Sequence, residues 1–492
     1  MSSTSHSEKH SPAQLTAPEL SYTRHPTDSS DNIKNEIGYD LYKRANEEGL
    51  EWTREEERFV LRKIDWRVLP VFCMMQGLAY LDKTALNYGN LFGMKADMHV
   101  TGSQFSWFAS AFYLGYLVST EPAAWVLQRF HTGRVMGMMG FLWGIVVMPG
   151  LGLMTPFWWK LHEQPIRQMT WYCFNGVAGI IGGFLAYGLG HATNSGVPNW
   201  ALIFLTLGGF TSLWGLYVFF MLPDSPVSAR FLSEREKAIA VKRVAENRTG
   251  IKNKTFKTYQ VKQALLDPKT YLLFFASVAA QIPNGVTTNF SSIIINQMGF
   301  SEFQTVLLDI PGSVFQIVSL IVSGWIAGRF KNSRAIMMFI GNSTCIVAAA
   351  CLTYGPKDDK WGRLVAFWFT SFASVGFAMS MIMISANVGG FTKRQITTAL
   401  TFINIAGPHV LIDSEKDLGY PTATKAMMAG YTVKTGCHVL LGLYMWYENR
   451  RRDQLARQEG KVVPEEERQR LAEEAGMNDV TEKDNVWFRY VL

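Results

Sequence analysis

Charge is scarce in this 492-residue chain. Asp, Glu, Lys and Arg make up 18% of it, whereas a soluble domain carries about 25%. That shortage argues against a water-soluble globular protein. Cysteine is also sparse. Cys73, Cys173, Cys345, Cys351 and Cys437 are scattered through apolar runs. They lack the spacing of a metal site or a redox pair and read as buried thiols. No Gly-rich phosphate loop, Walker motif, nucleophile elbow or zinc signature is present, which argues against a primary pump or a membrane enzyme. No cofactor and no metal are expected. The first apolar run starts far from Met1 and is too long for an h-region, so no cleavable signal peptide is expected. The net charge of +7 is modest for this length. It reads as a loop excess of Lys and Arg and not as a nucleic-acid footprint.

What is present is apolar. Hydrophobic residues are 48% of the chain, with 32 Phe, 22 Met and 42 Gly, a composition that suits helices packed closely in a bilayer. The stretch from Val68 to Phe130 holds two runs long enough to cross, joined by a short polar link. A crossing needs roughly 20 apolar residues. Asp82 and Lys83 sit inside the first run and Glu121 inside the second. Ionisable groups at membrane depth usually face a bundle interior or a water-filled path. A charged hairpin of this kind points to a transporter.

In chain order, residues 1–50 are polar and without apolar period, and read as a disordered cytoplasmic tail. Glu51–Arg67 reads as a short amphipathic helix whose basic end abuts the first span. Spans are expected at about Leu69–Tyr88, Gln104–Leu127, Val135–Met148, Thr170–Leu189 and Trp200–Leu222. A strongly basic link, 223–269, then separates two halves. Within it Ser233 and Glu236 form a capping box at a helix start. Six runs follow, about Tyr271–Ile295, Thr305–Gly328, Ala335–Tyr354, Leu364–Asn387, Ile396–Ile412 and Met427–Trp446. Basic links, Lys393–Arg394 among them, alternate with outer ones. Residues 448–492 form a charged, helix-prone cytoplasmic tail. The first half is thus 51–222 and the second 270–447. The positive-inside rule puts both termini in the cytoplasm, with the plasma membrane as the expected site and a monomer as the expected state.

The alternation fails once. Only 25 residues lie between Arg134 and Lys160, both in links expected to be cytoplasmic. Two crossings would take roughly 40. One crossing is missing, or the segment is re-entrant and buried in protein.

The motifs RKIDWRVLP, YLDKTALNYGN, FYLGY, TEPAAWVLQRF, TPFWWKLHEQPIRQMTWYCFNG, MLPDSP with FLSEREKAIAVKRV, GWIAGRFKNSRA, GYPTATKAMMAGY, YENRRRD and FRYVL occur in this order. Together they resemble the fungal allantoate permease branch of the major facilitator superfamily, in its anion:cation symporter group. The resemblance implies an all-α polytopic bundle in two pseudo-symmetric halves, with alternating access about a central site. It also implies proton-coupled uptake of a small organic anion, a ureide such as allantoate or a vitamin-like carboxylate. Against the family pattern the end of helix three and nearly all of helix four are absent, leaving about eleven spans instead of twelve. Ile396–Ile412 also reads as trimmed. A non-transporting sensor, or a defective variant of such a transporter, is the alternative.

Candidate site residues follow from position. Asp82 and Lys83 read either as a proton-titrating carboxylate with a cation for the substrate anion, or as an ion pair that fixes packing. Lys83 shares a helix face with Asn87, and the family usually has Arg at this position. Glu121 reads as a coupling carboxylate or a gate. Tyr113, Asn175, Gln281, Asn284, Gln316 and Asn404 could line a cavity or bond between helices, as could Asn289 and Asn387. Asn284 is preferred because Pro283 frees a backbone carbonyl beside it. Arg129 and Arg134 resemble the superfamily's gating loop, and Arg329 with Arg334 its echo. His409 and His438 are expected near helix ends.

Overall fold

The computed structural model describes residues 36–37, 39–101, 104, 105, 107, 108, 111, 122, 126, 129, 130, 132–142, 155–192, 196–247, 252–253, 256–356, 358–401, 420–460 and 462–492. Tyr113, Glu121, Asn404, His409, the expected 1–35 part of the N-tail and most of the second expected span lie outside these residues.

The described elements are helical apart from a two-residue antiparallel pair, Glu36–Ile37 with Lys252–Asn253. Within the stretch expected as a disordered tail stands a helix, α1 (Tyr39–Glu47), and the first half then holds α2 (Arg54–Leu91), α3 (Thr132–Leu142), α4 (Gln164–Gly190) and α5 (Asn199–Met221). Then come α6 (Glu234–Ala245) and α7 (Thr258–Leu265). The second half holds α8 (Pro268–Gln297), α9 (Glu302–Arg329), α10 (Arg334–Tyr354), α11 (Lys360–Phe369), α12 (Ala373–Asn387), α13 (Phe391–Thr401) and α14 (Pro421–Gln458). A last helix, α15, spans Glu465–Met477. Five helical stretches among the described residues are long and apolar enough to cross a bilayer: α4, α5, α9, α10 and continuous Lys360–Asn387.

Local chemistry sets the helix ends. Glu51–Arg67 does not form a separate helix. Thr53 caps α2 with Glu56 in reciprocal bonds of 3.2 and 3.0 Å, and the helix runs unbroken through the first span. Nothing between Arg54 and Leu91 stops it, and Pro70 sits inside it. Ser233 and Glu236 cap α6 as expected, at 3.3 and 2.8 Å. The expected boundary at 447/448 falls within α14.

One end of the bundle is charged. Glu57 of α2 binds Lys160 at 2.8 Å and Arg243 of α6 at 3.0 Å, and Arg243 reaches Glu163 at 2.6 Å. Lys160 also binds Glu246 at 2.7 Å, and Asp65 holds Arg167 at 2.8 Å. Burial pushes the Glu57 carboxyl up, but the Lys160 and Arg243 hydrogen bonds outweigh it and bring it down to about 2. The start of α3 lies at this same end, since a Cβ on Gly133 would collide with the carbonyl of Leu222 just past the end of α5.

The halves meet along α4 and α9, and along α2 and α8. Gly176 permits the first contact. A Cβ there would stand 2.7 Å from the Ser313 carbonyl oxygen and 2.6 Å from Ile317. At the charged end Ser385 donates to Gln164 at 3.0 Å, Arg334 donates to the Leu161 carbonyl at 2.9 Å, and Phe157 stacks on Phe391. At the far end Phe303 of α9 packs on His191 with ring centroids 3.9 Å apart.

Candidate functional site

A cavity of about 180 Å³ lies between the halves. From α2, Tyr80, Lys83, Thr84, Asn87 and Tyr88 line it. From α4 come Tyr172, Asn175 and Gly179. The second half supplies Gln281, Asn284, Thr287, Thr288 and Ser291 of α8. It adds Asp309, Ser313 and Gln316 of α9, Trp368 and Phe377 of the long stretch, and Tyr431 and Lys434 of α14. The α2 residues form one face because helical positions three and four apart align.

Six residues expected in the site are therefore brought together here: Lys83, Asn87, Asn175, Gln281, Asn284 and Gln316. Their amides are tied into the walls. Gln76 donates to Asn175 at 2.8 Å and Asn284 donates to Gln281 at 2.7 Å. Gln316 donates to Ser374. Asn87 crosses between halves, donating to Ser291 at 3.1 Å and to Ser292 at 2.9 Å.

Asp82 is placed elsewhere. It accepts from Thr211 of α5 at 3.1 Å and does not line the cavity. Consecutive helix residues point about 100° apart, so with Lys83 toward the cavity Asp82 faces a neighbour within its own half. Arg129 and Arg134 are exposed on the surface, as is Arg329. Arg334 is buried and touches the 155–163 link of the other half. Asn289 bonds back to Gly285 within α8 and Asn387 binds the chain end. His438 is not at a helix end. It is buried mid-way along α14, with Asn342 Nδ2 2.9 Å from Nδ1 and Ser380 Oγ 3.0 Å from Nε2. That is a satisfied packing position between α10 and α12.

Two charged lining residues escaped the sequence reading, Asp309 and Lys434. Asp309 accepts from Ser291 Oγ at 3.1 Å, and Lys434 donates to the Ala373 carbonyl at 2.9 Å. Each is the single Asp, Glu, Lys or Arg in its apolar run, Thr305–Gly328 or Met427–Trp446. The criterion that selected Asp82 would have found both. Among the described lining residues Asp309 is the one acid, and Lys83 and Lys434 are the two cations. No group of three or more potential metal ligands occurs among the described residues.

The profile of the Major Facilitator Superfamily matches residues 146–408. The chain belongs to the major facilitator superfamily. Within it, an allantoate permease of Saccharomyces cerevisiae is 30% identical over 485 positions, covering 90% of this chain and 88% of the relative. An uncharacterized transporter of Schizosaccharomyces pombe is 34% identical over 475 positions, covering 89% and 88%. These place the chain in the fungal allantoate permease branch. The fold matches a solved proton:xylose symporter with TM-score 0.54 at 13% identity, over 78% of this chain and 96% of the other. A human organic anion transporter matches with TM-score 0.50 at 13% identity, over 77% and 99%. At such identities these two structures establish the fold alone. This major facilitator protein is a multi-pass membrane transporter and not an enzyme.

Proposed function

We propose that this transporter takes up a small organic anion by alternating access, with protons as the coupling ion. The observation that carries the reading is the charge of the cavity. Lys83 of one half and Lys434 of the other line it, with Asp309 the one acid among its described walls. Cations held at membrane depth are costly unless an anion offsets them. A substrate carboxylate bound between Lys83 and Lys434 would be attracted by both and draw the halves together. Lysine acts here as a point charge and tolerates anions of varied shape better than a bidentate guanidinium does. The identity shared with the yeast allantoate permease makes a ureido acid such as allantoate the first candidate, and vitamin-like carboxylates the second. The charged end, rich in Lys and Arg, faces the cytoplasm. Both termini lie on that side, at the plasma membrane, in a monomer.

Labelled allantoate uptake by the full chain in liposomes tests this. Lys83→Gln and Lys434→Gln should each raise the half-saturating concentration about tenfold or more, the size of a hydrogen bond to a charged group. Unchanged half-saturation in both variants would overturn the anion site.

A second reading has its own observation. The start of α3 and Lys160 both sit at the charged end, with 25 residues between Arg134 and Lys160. The alignment with the yeast permease runs over 485 positions yet covers 90% of these 492 residues. Positions of the relative therefore stand opposite no residue here. The short Arg134–Lys160 interval supports a first half short of one crossing, eleven spans in all. A chain lacking that wall would serve as a sensor, or would not transport. Membrane-inserted protein that binds allantoate without flux would select this reading.

A further inference from the structure

Of the two carboxylates that the sequence offers for proton coupling, Glu121 lies outside the described residues and Asp82 faces α5 and not the cavity. Among the described lining residues the acid is Asp309, and it is wired to the interface between the halves. Ser291 Oγ donates to Asp309 Oδ2 at 3.1 Å. The same oxygen accepts from Asn87 Nδ2 of the first half at 3.1 Å. Asn87 Oδ1 is buried without a hydrogen-bond partner. The titratable or charged groups on the surrounding cavity walls are Lys83, Tyr80 and Tyr88 of α2, Tyr172 of α4, and Tyr431 and Lys434 of α14.

We propose, resting on the anion-symport reading above, that Asp309 is the proton-coupling carboxylate and that Ser291 and Asn87 pass its protonation state to the contact between the halves. A hydroxyl has one proton to give. While Asp309 is ionised, Ser291 gives that proton to it and keeps its lone pairs for the Asn87 N–H. The α2–α8 contact is then closed. When Asp309 takes one proton from water it becomes a donor to Ser291. Ser291 must turn its own O–H elsewhere, and the acceptor at hand is Asn87 Oδ1, reached when the amide turns over. That turn takes Asn87 Nδ2 away from both Ser291 and Ser292, so two N–H bonds between the halves give way to one O–H bond from Ser291 to Oδ1, and the α2–α8 contact loosens. No atom beyond the one proton is gained, and the same proton leaves to water on the other side.

The charge balance works in the same direction. With Asp309 ionised, the described walls carry two positive charges and one negative. Neutralising Asp309 raises the net positive charge that the described walls present to the incoming anion. Proton and anion then bind with positive coupling, which is reciprocal by linkage. Asp309 is thus a coupling residue, and Ser291 and Asn87 are positioning residues.

The test uses the full chain in liposomes with labelled allantoate and an entrapped pH-sensitive dye. In one-proton symport of a monoanion, one pH unit of gradient sustains about tenfold accumulation. Asp309→Asn should abolish this accumulation and the allantoate-dependent proton uptake, while allantoate-for-allantoate exchange continues. Asp82→Asn should keep accumulation, proton uptake and their pH dependence. Ser291→Ala should lower accumulation and displace its pH profile while allantoate-for-allantoate exchange continues, a split that loss of packing alone would not produce. Full accumulation by Asp309→Asn, or its loss in Asp82→Asn with exchange intact, overturns the proposal. Should Asp309→Asn fail to insert, Asp309→Glu takes its place. It should accumulate allantoate with a shifted pH profile, and an unshifted profile counts against the proposal. The symport reading fails separately, by a native chain that shows no proton-driven flux of any organic anion.

Discussion

Asp82 and Lys83 are neighbours in the chain and part company in the fold. One residue along a helix is about 100° of rotation, enough to send Lys83 into the cavity and Asp82 against Thr211. The polar stripe Tyr80, Lys83, Thr84 and Asn87 was legible in the sequence by its spacing. Which neighbour each member would meet was not, because that depends on helices hundreds of residues away. Asp309 and Lys434 were legible as lone charges in apolar runs. Small residues were legible too, since the glycines of α4 recur with helical spacing, and Gly176 now has a stated role. Gly176→Leu should push α4 off α9. Overpacking of this kind costs about 1–3 kcal/mol, read as a lowered melting temperature in detergent. An unchanged melting temperature would mean that the α4–α9 contact is looser than described.

At the scale of elements, the chain end is the part that composition misrepresents. A charged, helix-prone tail reads as solvent-exposed, yet its last residues are built into the second half. Glu482 is buried between Lys269 of α8, at 2.7 Å, and Lys393 of α13. Lys393 also binds Asp267 at 2.9 Å, so the pair expected as a basic loop is interior. Asp479 binds Lys257 at 3.1 Å. Asn387, past most of α12, exchanges bonds of 2.9 and 2.7 Å with Val491, and Arg452 of α14 holds the Glu482 carbonyl at 2.9 Å. Burial pushes the Glu482 carboxyl up, and the two lysines outweigh it and hold it well below the usual carboxylate range. Glu482→Gln would leave two buried lysines to the one carboxylate of Asp267, a loss of up to about 3–5 kcal/mol, that of a broken buried pair. The variant should melt markedly lower, and a native-like melt would contradict the burial. Charges in the tail could not announce this, because their partners lie far away in the chain, on α8, on α13 and just before α7.

The Glu57 cluster ties α2, α6 and the 155–163 link in a similar way, with a defined pH window. A carboxyl lowered from its ordinary 4.5 to about 2 stabilises the fold fully above the ordinary value. That contribution fades as pH falls from there through about 2. Acid melts of the native chain should lose stability across this window, and Glu57→Gln should lose less over the same range. Parallel acid profiles for the two would remove Glu57 from the account.

At the scale of the molecule, the two-half architecture was readable from hydropathy and from the basic link, and the fold class follows the reading. The cavity was not readable as a whole, because its described walls come from helices of both halves that are far apart in the chain. The local excess of positive charge among the described walls of that cavity is what makes a small organic anion the proposed cargo, and the stretch of only 25 residues between Arg134 and Lys160 is what puts transport itself to the question. The most direct measurement is uptake of labelled allantoate by this full chain in liposomes with an inside-alkaline pH gradient. The account predicts saturable uptake above empty liposomes that a protonophore abolishes. Uptake no greater than in empty liposomes from correctly inserted protein, or uptake indifferent to the gradient, would contradict it.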